Sequence, residues 1–325
     1  MPELPEVENV ALALRECLVG RRLTGMEVRF PGVLEPSAEA VEEALVGWVL
    51  VKVRRQGKYL LLEFGEGDRC REDIAGYSGG MREDVLAHSA GIERGYRRAV
   101  CLHLRMTGQI FVDPAYRPDQ HTHLILDFDG LPVYYRDIRK FGRLALVEPD
   151  ADGVFAVAPP HVGPDMLEIG FAAWRERVAA RRAPIKAVLL DQGVAAGIGN
   201  IYADEALFRA RVHPLTPAAS LADPDLRRIF NAARAVMRLA IRHGGTTYLN
   251  FVDFRGQPGN FRRKLRVYQR DGEPCRDCRE TLARLMVAGR SSHFCPRCQP
   301  APRRRKARRP TTTRPRASRA SRDRS

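Results

Sequence analysis

Four cysteines in the last third of the chain restrict its fold more than any other feature. They form two C-x2-C pairs separated by sixteen residues, namely Cys275, Cys278, Cys295 and Cys298. Each pair can place two thiolates on one metal ion, and a β-hairpin between the pairs can complete tetrahedral Zn²⁺ coordination. We predict one structural zinc ion, because four thiolates leave no open position for a reacting water. The alternative is a set of four unliganded thiols.

The other three cysteines, Cys17, Cys70 and Cys101, are isolated in the sequence. An odd total without a pairing pattern argues against the disulfide framework of small secreted proteins. The N-terminal sequence MPELPEVENV has carboxylates where a signal peptide has positive charge. No apolar run approaches the ~18 residues that cross a bilayer. We therefore expect a cytoplasmic protein with no membrane partner.

Charge is unevenly distributed along the 325 residues. The chain has 54 Lys+Arg against 39 Asp+Glu, a net charge of +15, and residues 301–325 alone hold eleven basic residues and one acid. Arg, Pro, Ser and Thr dominate this end, so we predict a disordered basic tail over 300–325. Such a positive excess favours a polyanionic partner, most often nucleic acid. The tail could supply this affinity without any sequence specificity.

The hydrophobic period changes from helical to β within the first half of the chain. Apolar residues recur at helical spacing over 3–19, and alternate with polar residues from 23 to about 148. Gln56-Gly57 and Asp129-Gly130 are turn signals between alternating segments. This pattern predicts an N-terminal helix and an antiparallel β-sandwich over 1–149.

Helical spacing returns in the second half of the chain. One long helix is predicted between Asp223-Pro224 and Gly244-Gly245. Residues 65–97 have no clear period and predict a loop insertion in the β domain. The predicted divisions after that domain are a linker over 150–166, a helical domain with a glycine-rich loop over 167–264, the cysteine module over 265–299, and the tail.

The sequence Met1-Pro2-Glu3 offers a nucleophile. Removal of the initiator methionine leaves Pro2 with a free secondary amine, and an α-amino group titrates near 7.7–8 against about 10.4 for lysine. Such an amine that attacks a sugar C1′ gives a cationic iminium, which accepts electrons in later steps. Glu3 is adjacent and suited to proton transfer. Because Pro and Glu also favour the first turn of a helix, a plain helix start remains the alternative.

Three further positions suggest chemistry, each with a simpler alternative. Lys58 follows the Gln56-Gly57 turn, and Arg290 lies inside the cysteine hairpin, where a turn could present it to a phosphate; either side chain could instead be solvated. In the sequence GIGN, over 197–200, helix-terminal N–H groups would point at a phosphate, with Asn200 as an added donor. A simple helix cap is the alternative there.

Taken together, these features resemble the formamidopyrimidine-DNA glycosylase family of bifunctional base-excision enzymes, the Fpg/Nei family. Six motifs in order carry the resemblance: PELPEVE (2–8), QGKYLLLEF (56–64), HLRMTG (103–108), RDIRKFG (136–142), LLDQGVAAGIGNIYADEALF (189–208) and the zinc-finger sequence GEPC…GRSSHFCPRCQ (272–299). Leu4 favours this branch over the endonuclease VIII branch, where a glycine is usual.

The resemblance implies an α+β multidomain fold, with an N-terminal helix and β-sandwich domain, a helix-two-turn-helix domain and a β-hairpin zinc finger. It implies an enzyme that flips out and excises oxidised purines such as 8-oxoguanine and formamidopyrimidines, then cleaves the strand by β,δ-elimination. The implied partner is damaged double-stranded DNA, bound by a monomer that associates with the nucleoid. The implied cofactor is one structural Zn²⁺, with no organic cofactor.

The resemblance also implies residue roles. Pro2 would be the Schiff-base nucleophile, Glu3 the general acid/base, Lys58 a proton donor and phosphate contact in β-elimination, and Arg290 a contact to the phosphate beside the lesion. The implied DNA contacts are Met106, Arg139 and Phe141, which fill the gap left by the flipped base, and His121, Arg181 and Asn200, which meet the backbone. Glu205 would brace the interdomain cleft. Without the resemblance, Met106 would be interpreted as a core residue.

The chain departs from the family pattern at three places, and two alternative functions remain open. The 65–97 insertion and the basic tail have no counterpart, and Arg105 replaces a usual glycine beside Met106. One alternative is an endonuclease VIII-type glycosylase for oxidised pyrimidines, since base choice depends on the 244–264 loop. The other is a non-catalytic zinc protein that binds damaged DNA, against which the combination of Pro2, Glu3 and Lys58 argues.

Overall fold

The computed structural model describes residues 1–66, 97–246 and 259–302. Residues 67–96 of the predicted insertion over 65–97, the centre of the 244–264 loop and most of the basic tail lie outside the described residues. In the parts that are described, none of the helices combines the length and the apolar composition that a bilayer crossing requires.

The first half of the chain is a helix followed by two packed sheets. Helix α1 spans Leu4–Leu18, as the sequence predicts. The first sheet has the order β1 (Leu23–Val28), β7 (Thr122–Phe128), β8 (Leu131–Asp137) and β6 (Gly108–Phe111). The second has the order β2 (Leu34–Glu35), β9 (Arg143–Leu146), β5 (Arg97–His103), β4 (Tyr59–Gly65) and β3 (Val49–Gln56). Alternate apolar side chains from both sheets and from α1 form one core.

The predicted turns are confirmed, but the β domain is less uniform than its period suggests. Gly57-Lys58 joins β3 to β4, and Asp129-Gly130 joins β7 to β8. The structure adds helix α2, Ala38–Leu45, where Ser37 accepts a hydrogen bond from the N–H of Ala40 and the buried residues recur at helical spacing. Strands β2 and β9 are parallel, in contrast to the antiparallel pairing that was expected throughout.

The second half packs four described helices around a core that includes Trp174, Tyr202 and Phe230. These helices are α3 (Phe171–Ala179), α4 (Ile185–Leu190), α5 (Asn200–Ala210) and α6 (Asp223–Arg242), with 3-10 turns at Ala218–Ser220 and Phe261–Lys264. The predicted limits of α6 are confirmed. Leu4 of α1 belongs to this core, whereas Val7 and later residues of α1 pack on the sheets. Helix α1 therefore joins the two halves.

The cysteine module contains the predicted hairpin. Strands β10 (Ala283–Val287) and β11 (Arg290–Phe294) are antiparallel, with Val287 paired to Arg290 across a turn at Ala288-Gly289. Both turn residues have positive φ angles, 48° and 71°, as a tight hairpin turn requires.

The 150–166 segment, which we predict to be a linker, has no helix or strand and is held against the β domain. Arg54 donates to the carbonyl of Phe155 (2.8 Å), whose ring is buried, and Gln56 donates to the carbonyl of Gly163 (3.0 Å). The linker therefore fixes the spacing of the two halves.

Candidate active site

The N-terminus of α1 meets the N-terminus of α5 through the carboxylate of Glu3. This side chain is only 2% exposed, and it accepts hydrogen bonds from the backbone N–H groups of Gly199 (2.8 Å), Ile201 (2.9 Å) and Tyr202 (3.4 Å). Burial raises the pKa of Glu3, although the charge of Lys58 and the three N–H donors oppose this shift. A carboxyl group with a raised pKa is suited to exchanging a proton near neutral pH.

This contact changes the interpretation of the GIGN sequence. The prediction that its helix-terminal N–H groups point at a phosphate is wrong for the three that bind Glu3. A Cβ on Gly197 would lie 2.4 Å from Cδ1 of Leu4, and a Cβ on Gly199 would lie 2.3 Å from Cδ of Glu3. The glycines therefore let α1 approach α5. The Oδ1 atom of Asn200 is buried and has no hydrogen-bond partner among the described residues.

Glu6 lies behind Glu3 and was not predicted from the sequence as a site residue. It accepts hydrogen bonds from the N–H of Glu3 (2.9 Å), the hydroxyl of Tyr202 (2.6 Å) and the N–H of Thr246 (2.7 Å). Burial, followed by the charge of Glu3, raises the pKa of Glu6 to about 7. The spacing of Glu3 and Glu6, typical of a reciprocal helix cap, was the available signal.

Lys58 lies in the same cleft as Glu3. Its turn packs against the loop before α5, and its Nζ donates to the carbonyl of Ile198 (3.2 Å). Burial lowers the pKa of Lys58, Glu3 raises it, and Arg290 adds to the lowering. The alternative of a solvated lysine is therefore wrong. The Lys58 ammonium also loses its proton more easily here than a surface lysine does.

The amino terminus and Arg290 complete this cluster. Pro2 is buried, and Arg290 opens strand β11 as an exposed residue. Burial lowers the pKa of the Met1 amine; the two neighbouring carboxylates raise it, and the charges of Lys58 and Arg290 lower it again. The structure therefore brings together the chain start, Glu3, Lys58 and Arg290, which are far apart in the sequence.

A buried ion-pair network holds the turn that carries Lys58. Asp165 accepts a hydrogen bond from the N–H of Gly57 (2.7 Å) and forms an ion pair with Arg55, which also pairs with Glu8. Arg55 in turn donates to the carbonyl of Gly57 (3.2 Å). The sequence gave no sign of this network, because its members come from α1, β3 and the linker.

Met106, Arg139 and Phe141 form one exposed cluster. Arg139 Nη1 lies 2.9 Å from the sulfur of Met106, and its guanidinium lies 4.6 Å from the ring centre of Phe141. Met106 is 37% exposed and Phe141 is 48% exposed. The interpretation of Met106 as a core residue is wrong. Two large apolar side chains joined by a cation could fill a space in a base stack.

His103 contacts Tyr59, the neighbour of Lys58, and Arg105, the neighbour of Met106, and it was not predicted as a site residue. Its Nδ1 accepts the N–H of Arg105 (2.9 Å), and its ring lies edge-on to Tyr59 (4.3 Å). Burial lowers the pKa of His103 to about 4, and the charges of Arg105 and Lys58 act in the same direction. Arg105 itself has φ of 53°, a conformation that glycine adopts without strain. This angle accounts for the expected glycine beside Met106.

The two remaining candidates lie apart from the buried cleft. His121 is half-buried, and its carbonyl accepts the N–H of Asp137 (2.9 Å). Arg181 is exposed and lies 3.5 Å from Asp191. No contact within the described ranges joins Arg181 to the cleft residues.

The cysteine cluster fits a zinc ion. The four sulfur atoms of Cys275, Cys278, Cys295 and Cys298 lie within 4.8 Å of one another. Tetrahedral coordination with Zn–S bonds of about 2.3 Å needs sulfur separations of roughly 3.8 Å. The separation is 3.4 Å for Cys278 and Cys295, and 4.0 Å for Cys275 and Cys298. The site suits structural rather than catalytic zinc.

A second buried network fixes the hairpin to the helical domain. The Nζ of Lys186 lies 2.7 Å from Oδ1 of Asp204 and donates to the carbonyl of Ser291 (2.7 Å). The other oxygen of Asp204 accepts the N–H of His293 (2.9 Å). These contacts hold strand β11 at Ser291 and His293, and so fix the position of the neighbouring Arg290.

Glu205 acts at the same junction. Its carboxylate accepts the N–H groups of Arg266 (2.9 Å), Val267 (2.9 Å) and Tyr268 (3.0 Å). The expectation that Glu205 braces the interdomain cleft is therefore refined: it anchors the segment that leads into the zinc finger.

The three parts of the chain each match a family model. Residues 1–144 match the formamidopyrimidine-DNA glycosylase N-terminal domain, 162–251 match the formamidopyrimidine-DNA glycosylase H2TH domain, and 272–301 match the zinc finger found in FPG and IleRS. The H2TH, or helix-two-turn-helix, segment includes α4, α5 and the GIGN loop between them.

Whole proteins show the same similarity. The formamidopyrimidine-DNA glycosylase of Chloroflexus aurantiacus is 40% identical over 304 residues, covering 92% of this chain and 98% of that protein. The crystal structure of the MutM (Fpg) protein from Thermus thermophilus has a TM-score of 0.72 at 34% identity, over 92% of this chain and 98% of its own. A structure of MutM in complex with carbocyclic 8-oxo-G containing DNA has a TM-score of 0.74 at 29% identity, over 92% and 100%.

Proposed function

The chain belongs to the formamidopyrimidine-DNA glycosylase family, and we propose that its cleft excises oxidised purines from damaged double-stranded DNA through the amine of Pro2. It is a base-excision repair glycosylase, and its family pairs excision with AP lyase activity. The observation that carries the assignment of residues is the convergence of the chain start, Glu3 and Lys58 in one buried cluster.

The first step uses Pro2 and Glu3. Once Met1 is removed, the Pro2 nitrogen attacks C1′ of the flipped nucleotide, a C–N bond forms, and the bond to the base breaks with its electron pair leaving on the base. Glu3, whose raised pKa lets it carry a proton, protonates the sugar ring oxygen as the ring opens to the iminium.

The second step uses Lys58 and Arg290. The iminium acidifies the C2′ hydrogen, and loss of that proton expels the 3′ phosphate by β-elimination; a further proton loss then expels the 5′ phosphate. Lys58 donates a proton in this step and holds the flanking phosphate with its charge, and burial, which lowers its pKa, makes the proton easier to release. Arg290 lies where its charge can hold a phosphate beside the lesion.

The exposed residues bind the duplex. Met106, Arg139 and Phe141 enter the gap that the flipped base leaves, where the guanidinium can bond the orphaned base and the other two side chains replace its stacking. We assign phosphate contacts to the side chains of Asn200, His121 and Arg181. The zinc ion holds the hairpin that carries Arg290. We expect a monomer in the cytoplasm, associated with the nucleoid through DNA.

Borohydride trapping tests this proposal. Wild-type protein with an 8-oxoguanine duplex and borohydride should yield a covalent protein–DNA adduct, and Pro2→Gly should reduce its rate of formation by at least about 10²-fold. Because this variant keeps a terminal amine, a normal rate of trapping would show that the secondary amine of Pro2 is not required.

The lesion panel separates the alternatives. Faster excision of 8-oxoguanine opposite cytosine than of thymine glycol supports the purine enzyme, whereas the reverse order supports an endonuclease VIII-type enzyme. Lesion duplexes left uncleaved by zinc-loaded protein would instead support a non-catalytic DNA-binding protein.

A further inference from the structure

Two separate loops supply the exposed cluster of Met106, Arg139 and Phe141. Met106 lies in the loop over 104–107, between β5 and β6, whereas the other two lie in the loop over 138–142, between β8 and β9. Side chains this exposed receive little support from packing, so another contact must hold the loops in register.

Asp137 provides that contact from beneath the cluster. The residue is 0% exposed. Its Oδ1 accepts hydrogen bonds from the hydroxyl of Thr107 and the N–H of Arg139 (3.1 Å). Its Oδ2 accepts the N–H of Gly142 (2.8 Å) and the hydroxyl of Tyr135 (3.3 Å). One buried carboxylate therefore binds donors from both loops.

Thr107 forms the side-chain hydrogen bonds that link one loop to the other. Its hydroxyl donates to Asp137 and accepts the N–H of Arg139 (3.1 Å), so it uses both its donor and an acceptor site on the opposite loop. Thr107 is next to Met106 in the sequence. A valine would keep the shape of this side chain and lose both bonds.

The residues around Asp137 leave no room for a different arrangement of this hydrogen-bond network. A Cβ on Gly142 would lie 1.7 Å from the hydroxyl of Tyr135, so that position admits only glycine in this conformation. The backbone of Asp137 is also held, because its N–H donates to the carbonyl of His121 (2.9 Å) and its carbonyl lies 2.7 Å from Nε2 of His123. A fully bonded polar network of this kind specifies one geometry.

We propose that Asp137 and Thr107 are positioning residues that couple the two loops, so that Met106, Arg139 and Phe141 enter the duplex as one unit. This inference rests on the proposed function. The three side chains are held in one arrangement before binding. The complex therefore does not have to order the two loops separately as it forms. Loss of the coupling slows insertion but leaves the Pro2 chemistry unaltered.

Fluorescence measures the insertion step directly. The probe is a duplex with a tetrahydrofuran abasic analogue opposite 2-aminopurine, which becomes brighter when its stacking is disturbed. We expect Thr107→Val to slow the stopped-flow fluorescence phase about tenfold, as the loss of two buried hydrogen bonds implies. Thr107→Ser should restore the rate to within about twofold, and Asp137→Asn should slow it like Thr107→Val. Thr24→Val is the matched control, since the Thr24 hydroxyl also bonds an aspartate, Asp127 (2.7 Å), at an exposed position.

A double-mutant cycle then tests coupling itself. With Thr107 present, the loss of rate in Met106→Ala/Phe141→Ala should be smaller than the product of the two single losses; in the Thr107→Val background it should equal that product. Equal rates in wild type and in a folded, zinc-loaded Thr107→Val protein, with the same cycle in both, would overturn the inference. A wild-type protein that gives neither a fluorescence phase nor a borohydride adduct would instead overturn the proposed function.

Discussion

Helix α5 contacts its two neighbours through buried carboxylates, and two of these, Glu3 and Asp204, have different partners. At the N-terminal junction, Glu3 and Glu6 accept hydrogen bonds from backbone N–H groups and a tyrosine hydroxyl. At the zinc-finger junction, Asp204 faces the buried ammonium of Lys186 at 2.7 Å.

This difference separates carboxyl groups that are suited to proton transfer from one that supports the structure. Burial raises the pKa values of Glu3 and Glu6, although hydrogen bonds to both groups and the charge of Lys58 beside Glu3 oppose the rise. Asp204 instead forms an ion pair with Lys186, which also donates to the carbonyl of Ser291, and these contacts fix strand β11. The N-terminal end of α5 therefore meets two carboxyl groups with raised pKa values, whereas Asp204, near the middle of the same helix, forms a buried ion pair.

Glu3→Gln should have the largest effect. The variant keeps the side-chain shape but cannot transfer a proton, so we expect single-turnover excision of 8-oxoguanine to fall by about 10²–10⁴-fold, or about 3–5.5 kcal/mol in the barrier. Glu43→Gln, at an exposed position on α2, is the control. A loss below tenfold would remove the distinction between the two junctions.

Lys186→Met should have the next largest effect, and it should act on stability. It leaves Asp204 buried without its counter-charge, so urea denaturation of the zinc-loaded protein should show a loss of about 3–5 kcal/mol. Lys186→Met/Asp204→Asn should recover part of this loss. The exposed Lys264→Met is the control, expected to change stability by less than about 0.5 kcal/mol. The comparison fails if Lys186→Met costs no more than that control.

Glu6→Gln should have the smallest effect, a change in how the free energy of unfolding depends on pH. The folded-state pKa of Glu6, about 7, lies above its usual value of 4.5. The folded protein therefore holds this proton more tightly, and the stability of wild type relative to Glu6→Gln should fall as pH rises from about 4.5 to about 7. The total fall should reach up to about 3 kcal/mol. Urea denaturation across this range measures the difference, which should stay constant if Glu6 is an ordinary carboxylate.

The sequence predicted the features that depend on local spacing. The zinc module, helix α1, the hairpin turns and the limits of α6 each follow from residues that lie near one another in the chain. Helix α2 was missed because its eight residues lie within a region of β periodicity.

Long-range contacts account for what the sequence did not reveal. Arg55 and Asp165 carry no local signal that they form a buried pair. The GIGN sequence was interpreted as a phosphate contact, because the partner of its N–H groups, Glu3, is almost two hundred positions away. The resemblance supplied roles for Pro2, Glu3 and Lys58, whereas Glu6, His103 and Asp137 emerged only once their neighbours were visible.

The position of Leu4 in the helical-domain core has a consequence for synthesis of the chain. The first residues to leave the ribosome contact residues 197–202, so the β domain can fold early while its N-terminal end still lacks a partner. The donors that bind Glu3 appear only after α5 has been translated. We expect a chain that ends before this helix to carry Pro2 but to lack the N–H groups that bind Glu3, and so to leave a lesion duplex uncleaved.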